Sequence, residues 1–184
     1  FPYYEHRKWY LDCEWKEDTG EMTVISAWDS YRKKMLTWYV LPKGQLERHL
    51  QHKYNPKVKM FSNETDMLEN FLTTMDMFDP DVILGWYLVA ADIQQIVNRC
   101  QALGLDPRRL SPQRRIKYDF NNDYSQPING RLCIDLMVVF CRLWRVKNGQ
   151  LPGQSLDAVS DFVLGERKDK LENGHDTYYS DIEK

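Results

Sequence analysis

Long apolar runs are missing from this sequence, and no stretch approaches the roughly twenty residues that a membrane-spanning helix needs. Repeats and low-complexity tracts are absent too, which sets aside solenoids, fibres and disordered tails. Cysteine is scarce: the four thiols, at 13, 100, 133 and 141, form no C-x-x-C pair, so a zinc knot is excluded and a reducing, intracellular compartment is expected. The four histidines bring no metal pattern, since His49 and His52 lie in a polar stretch with no Cys or carboxylate framing them. A formal charge of −2 neither advertises nor excludes nucleic acid, because an acidic cluster can cancel basic patches in the sum. The chain opens on Phe1 and carries no signal-peptide pattern, so it reads as a piece of something larger. At 184 residues it is long enough for one domain with a real core, residues 1–184.

What is present begins with Trp9-Tyr10-Leu11-Asp12-Cys13-Glu14-Trp15. As a strand, it sends Trp9, Leu11, Cys13 and Trp15 to one face and Tyr10, Asp12 and Glu14 to the other. Two acids leaving a buried strand on one side repel each other and cost desolvation, which a divalent cation relieves compactly. Asp12 and Glu14 are therefore candidate metal ligands; an edge strand with a merely polar outer face is the alternative.

Strands are expected at 22–28 and 35–41, completing an antiparallel meander, with a mostly irregular basic stretch at 42–60 that ends in a short strand at 58–61. Asn63 caps a helix whose Met67, Leu68, Phe71, Leu72 and Met75 recur at helical spacing. Val82–Trp86 reads as a parallel strand buried on both faces, and a helix marked by Ile93, Ile96, Val97, Cys100 and Leu103 follows. Asp92, in the first turn of that helix, is placed at the rim of the apolar stripe, nearly in line with Arg99. It follows a central strand, where open α/β sheets put their chemistry, although an acid at a helix start is also common for dipole reasons alone.

Arg114–Phe120 and Arg131–Ile134 flank a polar tip that includes Asn129-Gly130, the pattern of a protruding β-hairpin. Arg108, Arg109, Arg114, Arg115 and Lys117 cluster at its base, to track phosphates or simply to be solvated. Asp135 opens a helical stretch, and Ser155 starts another that turns Leu156, Val159 and Phe162 inward and stops at Gly165.

Leu11-Asp12-Cys13-Glu14 resembles the first exonuclease motif, D-x-E, of family B DNA polymerases, and Gly85-Trp86-Tyr87-x-x-x-Ala91-Asp92 resembles the second, G-W-N-x-x-x-F-D. Arg99 stands at the expected distance, and Phe78–Leu84, Arg109–Pro112, Asn129-Gly130 and Ser155–Val159 are similar to the family's text as well. The chain departs from the pattern at Tyr87 and Ala91, and Tyr178-x-x-Asp181 is one residue short of the third motif, Y-x-x-x-D, which is expected beyond Lys184. No palm-domain motif such as S-L-Y-P-S or D-T-D is present.

The resemblance implies an α/β, ribonuclease H-like mixed sheet flanked by helices. It implies a 3′–5′ exonuclease that hydrolyses the terminal phosphodiester of a single-stranded DNA 3′ end beside the polymerase domain of the parent chain. Asp12, Glu14 and Asp92 would hold two Mg²⁺ or Mn²⁺ ions as the catalytic set. Trp86, Tyr87 and Arg99 would touch substrate, although Trp86 reads more simply as an ordinary core tryptophan. A nucleic-acid-binding scaffold that has lost its metals is the alternative, and a cytoplasmic setting without a membrane is implied.

Overall fold

Alternation of apolar and polar residues along the first forty positions produces the sheet on which everything else rests. In the computed structural model, which describes residues 5–41 and 58–167, the first three strands are β1 (Lys8–Trp15), β2 (Met22–Asp29) and β3 (Lys34–Val40). They form the expected antiparallel meander, with Asp12 opposite Ser26 and Ser26 opposite Thr37. Next, β4 (Val58–Phe61) lies parallel to β3, β5 (Val82–Gly85) parallel to β1, and β6 (Leu132–Asp135) parallel to β5, in the order β4-β3-β2-β1-β5-β6. All four residues of β5 are buried, which is the reason it reads as an unbroken apolar run rather than an alternating one.

Helix α1 (Glu64–Phe78) starts where Asn63 accepts the Asp66 N–H and ends at Asp79, whose positive φ of 44° breaks the ladder. Its Met67, Leu68, Phe71, Leu72 and Met75 are buried with Trp9, Leu11, Ile25 and Trp38 of the sheet. Trp38 meets Phe71 edge-on with ring centroids 5.2 Å apart. Burying side chains of this size contributes about 2–3 kcal/mol each, so this layer carries most of the stability. Helix α2 (Gln94–Ala102) closes through Gly104, with the Leu105 N–H bonding the Cys100 carbonyl and the Gly104 N–H bonding that of Gln101.

The expected hairpin is not a regular one. Residues 116 and 128 form an isolated antiparallel bridge, whereas Leu132 enters the main sheet opposite Val82. Asn129-Gly130 lies at the base of this excursion and not at its tip, with Gly130 set against Pro112. Arg131, expected in an exposed arm, is buried and donates to the Leu110 carbonyl at 2.7 Å and to Asp79 Oδ1 at 2.8 Å. The basic stretch nearby is partly neutralised: Arg108 pairs with Asp106, Arg109 with Glu69 and Asp76, and Arg114 with Asp76.

The chain divides into two compact units, Phe1–Val139 and Phe140–Lys184. Helix α3 (Leu136–Asn148) runs across that division, and α4 (Leu156–Leu164) lies in the second unit, started by the Ser155 side chain and stopped by Gly165 as the spacing predicts. Within that unit Trp144 stacks on Phe140 and meets Phe162 edge-on. Val159 is buried, but Leu156 and Phe162 are about half exposed, so α4 turns one apolar position inward instead of three. His49, His52, Tyr178 and Asp181 lie outside the described residues.

Candidate active site

The backbone of β1 offers its edge to β5 at every second residue. Because the Ser30 N–H bonds the Lys8 carbonyl on the β2 side, the even-numbered residues of β1 point their amides toward β2, and Trp9, Leu11 and Cys13 point theirs toward β5. β5 pairs with β1 only as far as Tyr10 opposite Leu84 and ends at Gly85. The edge from Leu11 to Cys13 is thus left without a strand beside it.

Gly85 is what allows the chain to turn away there. A Cβ on it would sit 2.7 Å from the Leu11 carbonyl oxygen and 2.9 Å from Leu88 Cδ1, so any side chain collides with backbone. Tyr87 follows with φ at 59°, a costly value for an aromatic residue, and its N–H donates to Asp135 Oδ1 at 3.1 Å. The same Asp135 oxygen takes the Met137 N–H at 3.0 Å, which ties this turn to the start of α3.

A single π-helical turn, Val89–Ile93, comes next, closed by the Ile93 N–H to the Leu88 carbonyl at 3.0 Å. Such turns add one residue to the helical repeat and re-aim the side chains on it. The outcome here is that Asp92 sits not at the rim of the core but inside it, 4% exposed. The Cys13 thiol and backbone N–H, on the stretch of edge where β5 stops, lie near enough to its carboxyl to favour the charged form. Burial first, and the Asp12 charge second, push the Asp92 carboxyl up to about 8, against the pull of those two groups. Burial likewise raises the Cys13 thiol, helped by the charges of Asp92, Asp12 and Glu14.

The strand faces are as the alternation predicts: Trp9, Leu11 and Cys13 are buried, Asp12 is exposed and Glu14 is half-buried. Asp12, Cys13, Glu14 and Asp92 are therefore gathered at one place in the fold, near enough for their charges to act on one another. Trp86 is half-buried, so it is not the fully enclosed core tryptophan that was the simpler expectation, and Tyr87 is half exposed.

Arg99 has other work than the substrate contact expected of it. Its Nε and Nη2 donate to the two oxygens of Glu64 at 2.8 and 2.6 Å, and Glu64 also takes the Met22 N–H. This clamp joins α2, α1 and β2.

The donor chemistry suits Mg²⁺ or Mn²⁺, since Asp12, Glu14 and Asp92 present only hard oxygen ligands. A buried acid held near neutrality by its neighbours is also what a cation would convert into a ligand. The number falls short, because among the described residues no three His, Cys, Asp or Glu side chains converge closely enough to hold an ion.

Comparison with known sequences meets this geometry from the other side. The DNA polymerase family B exonuclease domain matches residues 16–159, a stretch that includes Asp92 and begins just past Glu14. The chain is 28% identical over 156 residues to a DNA polymerase of Thermococcus litoralis, 28% over 164 residues to one of Pyrococcus glycovorans, and 28% over 123 residues to the DNA polymerase delta catalytic subunit of Candida albicans. These alignments take in 83%, 83% and 60% of this chain but 8%, 18% and 11% of the respective relatives, so the chain spans less than a fifth of their length. The family match, the mixed six-stranded sheet and the acid-bearing turn after β5 lead to one conclusion: the chain belongs to the family B DNA polymerases, within their exonuclease domain.

Proposed function

We propose that this chain is a metal-dependent 3′–5′ exonuclease that removes nucleotides from single-stranded DNA 3′ ends, the proofreading partner of a polymerase domain. The observation that carries the reading is the placement of Asp92 against the open edge of β1, within reach of the charges of Asp12. Asp12, Glu14 and Asp92 would hold two Mg²⁺ or Mn²⁺ ions, which would supply Lewis-acid stabilisation of the phosphodiester as it is cleaved.

The protein's own groups have definite parts in this. Cys13 lies beside the Asp92 carboxyl and would help to hold it near the charge of Asp12. Gly85 permits the backbone approach, and Asp135 fixes the Tyr87 turn. Half-exposed Tyr87 and Trp86, at the mouth of that turn, would stack on the terminal bases.

The test is to incubate the chain with a 5′-labelled single-stranded oligonucleotide and Mn²⁺, beside Asp12→Ala and a version extended past Lys184. Shortening from the 3′ end by the extended wild type, absent in Asp12→Ala, is the expected result; an intact 3′ end in both sinks the reading.

A second reading, a nucleic-acid-binding scaffold of the same fold without catalysis, is favoured by the lack of three converging ligands among the described residues. Calorimetric titration with Mn²⁺ separates the two, because heat that vanishes in Asp12→Ala and Asp92→Ala belongs to the nuclease alone.

A further inference from the structure

Two strands from β1, a groove of about 290 Å³ has a lining that includes Arg32, Lys34, Leu36, Trp38 and Lys59. Three of these are cations. Among the described residues no carboxylate lies within ion-pair distance of any of them, in contrast to Arg108, Arg109 and Arg114. The nearest acid in register, Asp29 opposite Lys34, is fully buried and already committed to Arg7, the Trp9 indole N–H and two backbone N–H groups.

The cations are also held in place. Arg32 lies over the Phe78 ring, 4.0 Å from its centroid, while Arg7 lies 4.5 Å from the same ring. Lys59 is tethered by Asn70 Oδ1 at 3.0 Å and Thr74 Oγ1 at 3.3 Å, which leaves one ammonium proton unspent, and burial together with Arg32 holds its amine below the usual lysine range. Like charges fixed side by side repel at a cost that a bound anion removes.

Spacing decides what sort of anion. Lys59 is level with Trp38, and Trp38 stands four residues along β3 from Lys34, so the attachment points are spread over about 13 Å of strand. Charges rimming a groove of that length, above an apolar floor at Leu36, match a chain of phosphates with sugars and bases between them better than one isolated phosphate.

We propose that the groove along β3, bounded by Arg32 and by Lys59 of β4, is a second nucleic-acid contact, in which Arg32, Lys34 and Lys59 hold the phosphodiester backbone of a single strand away from its 3′ terminus. The choice of a nucleic acid over another polyanion rests on the reading of this chain as a DNA-processing domain. Lys34 is exposed and its replacement leaves the core intact, so Lys34→Gln is the first variant and Arg32→Gln the second.

Binding of a long fluorescent single-stranded oligonucleotide is measured in EDTA across a salt series. The wild-type slope of log affinity against log salt should lose about 0.7 for each cation removed, so that the double variant's loss of affinity between about 50 and 200 mM salt is roughly sevenfold smaller than that of the wild type. Unchanged slopes in both variants overturn the proposal, and so does a polyglutamate peptide that competes as well as DNA, which would make the groove an acidic-protein site. With Mn²⁺ added, the variants should degrade a trinucleotide like the wild type but a long strand more slowly. If wild type degrades neither, the nuclease reading fails while the EDTA measurement still judges the groove.

Discussion

Two regions of this chain gather charge of one sign, and they do so by opposite means. At β1 the like charges are acids brought together by topology: Asp12 comes from a strand, and Asp92 from a π-turn far down the chain. At the β3–β4 edge they are cations close in register, laid out by two neighbouring strands and a turn. One of the acids, Asp92, is buried with its carboxyl raised, whereas Arg32 and Lys34 of the cationic groove are exposed. The lesson is that a charge enclosed by the fold is tuned by its surroundings, whereas a charge left at the surface stays within reach of a partner. Charges of a third kind, such as Arg99, are paired within the protein.

The widest break in that comparison should come from Asp92→Ala, which removes the buried acid. Exonuclease turnover is expected to fall at least about a thousandfold, or about 4 kcal/mol of barrier, while oligonucleotide affinity in EDTA holds. A gel assay beside an anisotropy titration reads both.

A pH series sharpens the same point. Because the folded Asp92 carboxyl is raised above its unfolded value, the metal-free protein has that stability in full below about pH 4 and loses it as pH rises through about 8, by an amount on the order of a few kcal/mol. Thermal melts in EDTA at pH 5 and pH 9 should therefore differ by more in wild type than in Asp92→Asn, and added Mn²⁺ should recover the alkaline loss. Equal pH slopes in the two proteins would mean that the acid is not enclosed.

Smaller again is Arg99→Ala, which leaves the buried Glu64 carboxylate with the Met22 N–H but without its guanidinium. It should cost about 2–3 kcal/mol in urea unfolding, yet leave the salt slope of DNA binding alone. The least effect is expected from Arg108→Ala, since its pair with Asp106 is exposed: no more than a few tenths of a kcal/mol, and no change in the salt slope. A clear change of slope there would erase the distinction between paired and unpaired cations.

Much of this was legible from residue order. The alternation of β1, the Asn63 and Ser155 caps, the Gly104 and Gly165 stops and the buried run of β5 all follow from local rules, and the structure repeats them. The acids too were legible, as motifs. Three things were not. The 115–129 excursion was read as a hairpin because Asn129-Gly130 is a strong turn pattern, but Leu132 had a better offer, a full parallel ladder beside β5. Arg99 stands in line with Asp92 by helical period, but its partner is Glu64 on another helix, which no spacing reveals. The basic stretch at 108–117 drew notice by its density, while Arg32, Lys34 and Lys59 did not, because ion pairing and register across strands are invisible in one dimension.

The sequence by itself determined the strands, the helices and their ends, and the identity of the carboxylates at 12, 14 and 92, because capping, turn chemistry and alternation act over a few neighbouring residues. The tertiary structure alone decided that β5 pairs with β1 only as far as Tyr10, that Asp92 is buried near Cys13 and the charge of Asp12, and that three cations line one groove without an ion-paired acid among the described residues. Those outcomes depend on where one strand ends beside another and on which charge reaches which partner first, and both are properties of packing.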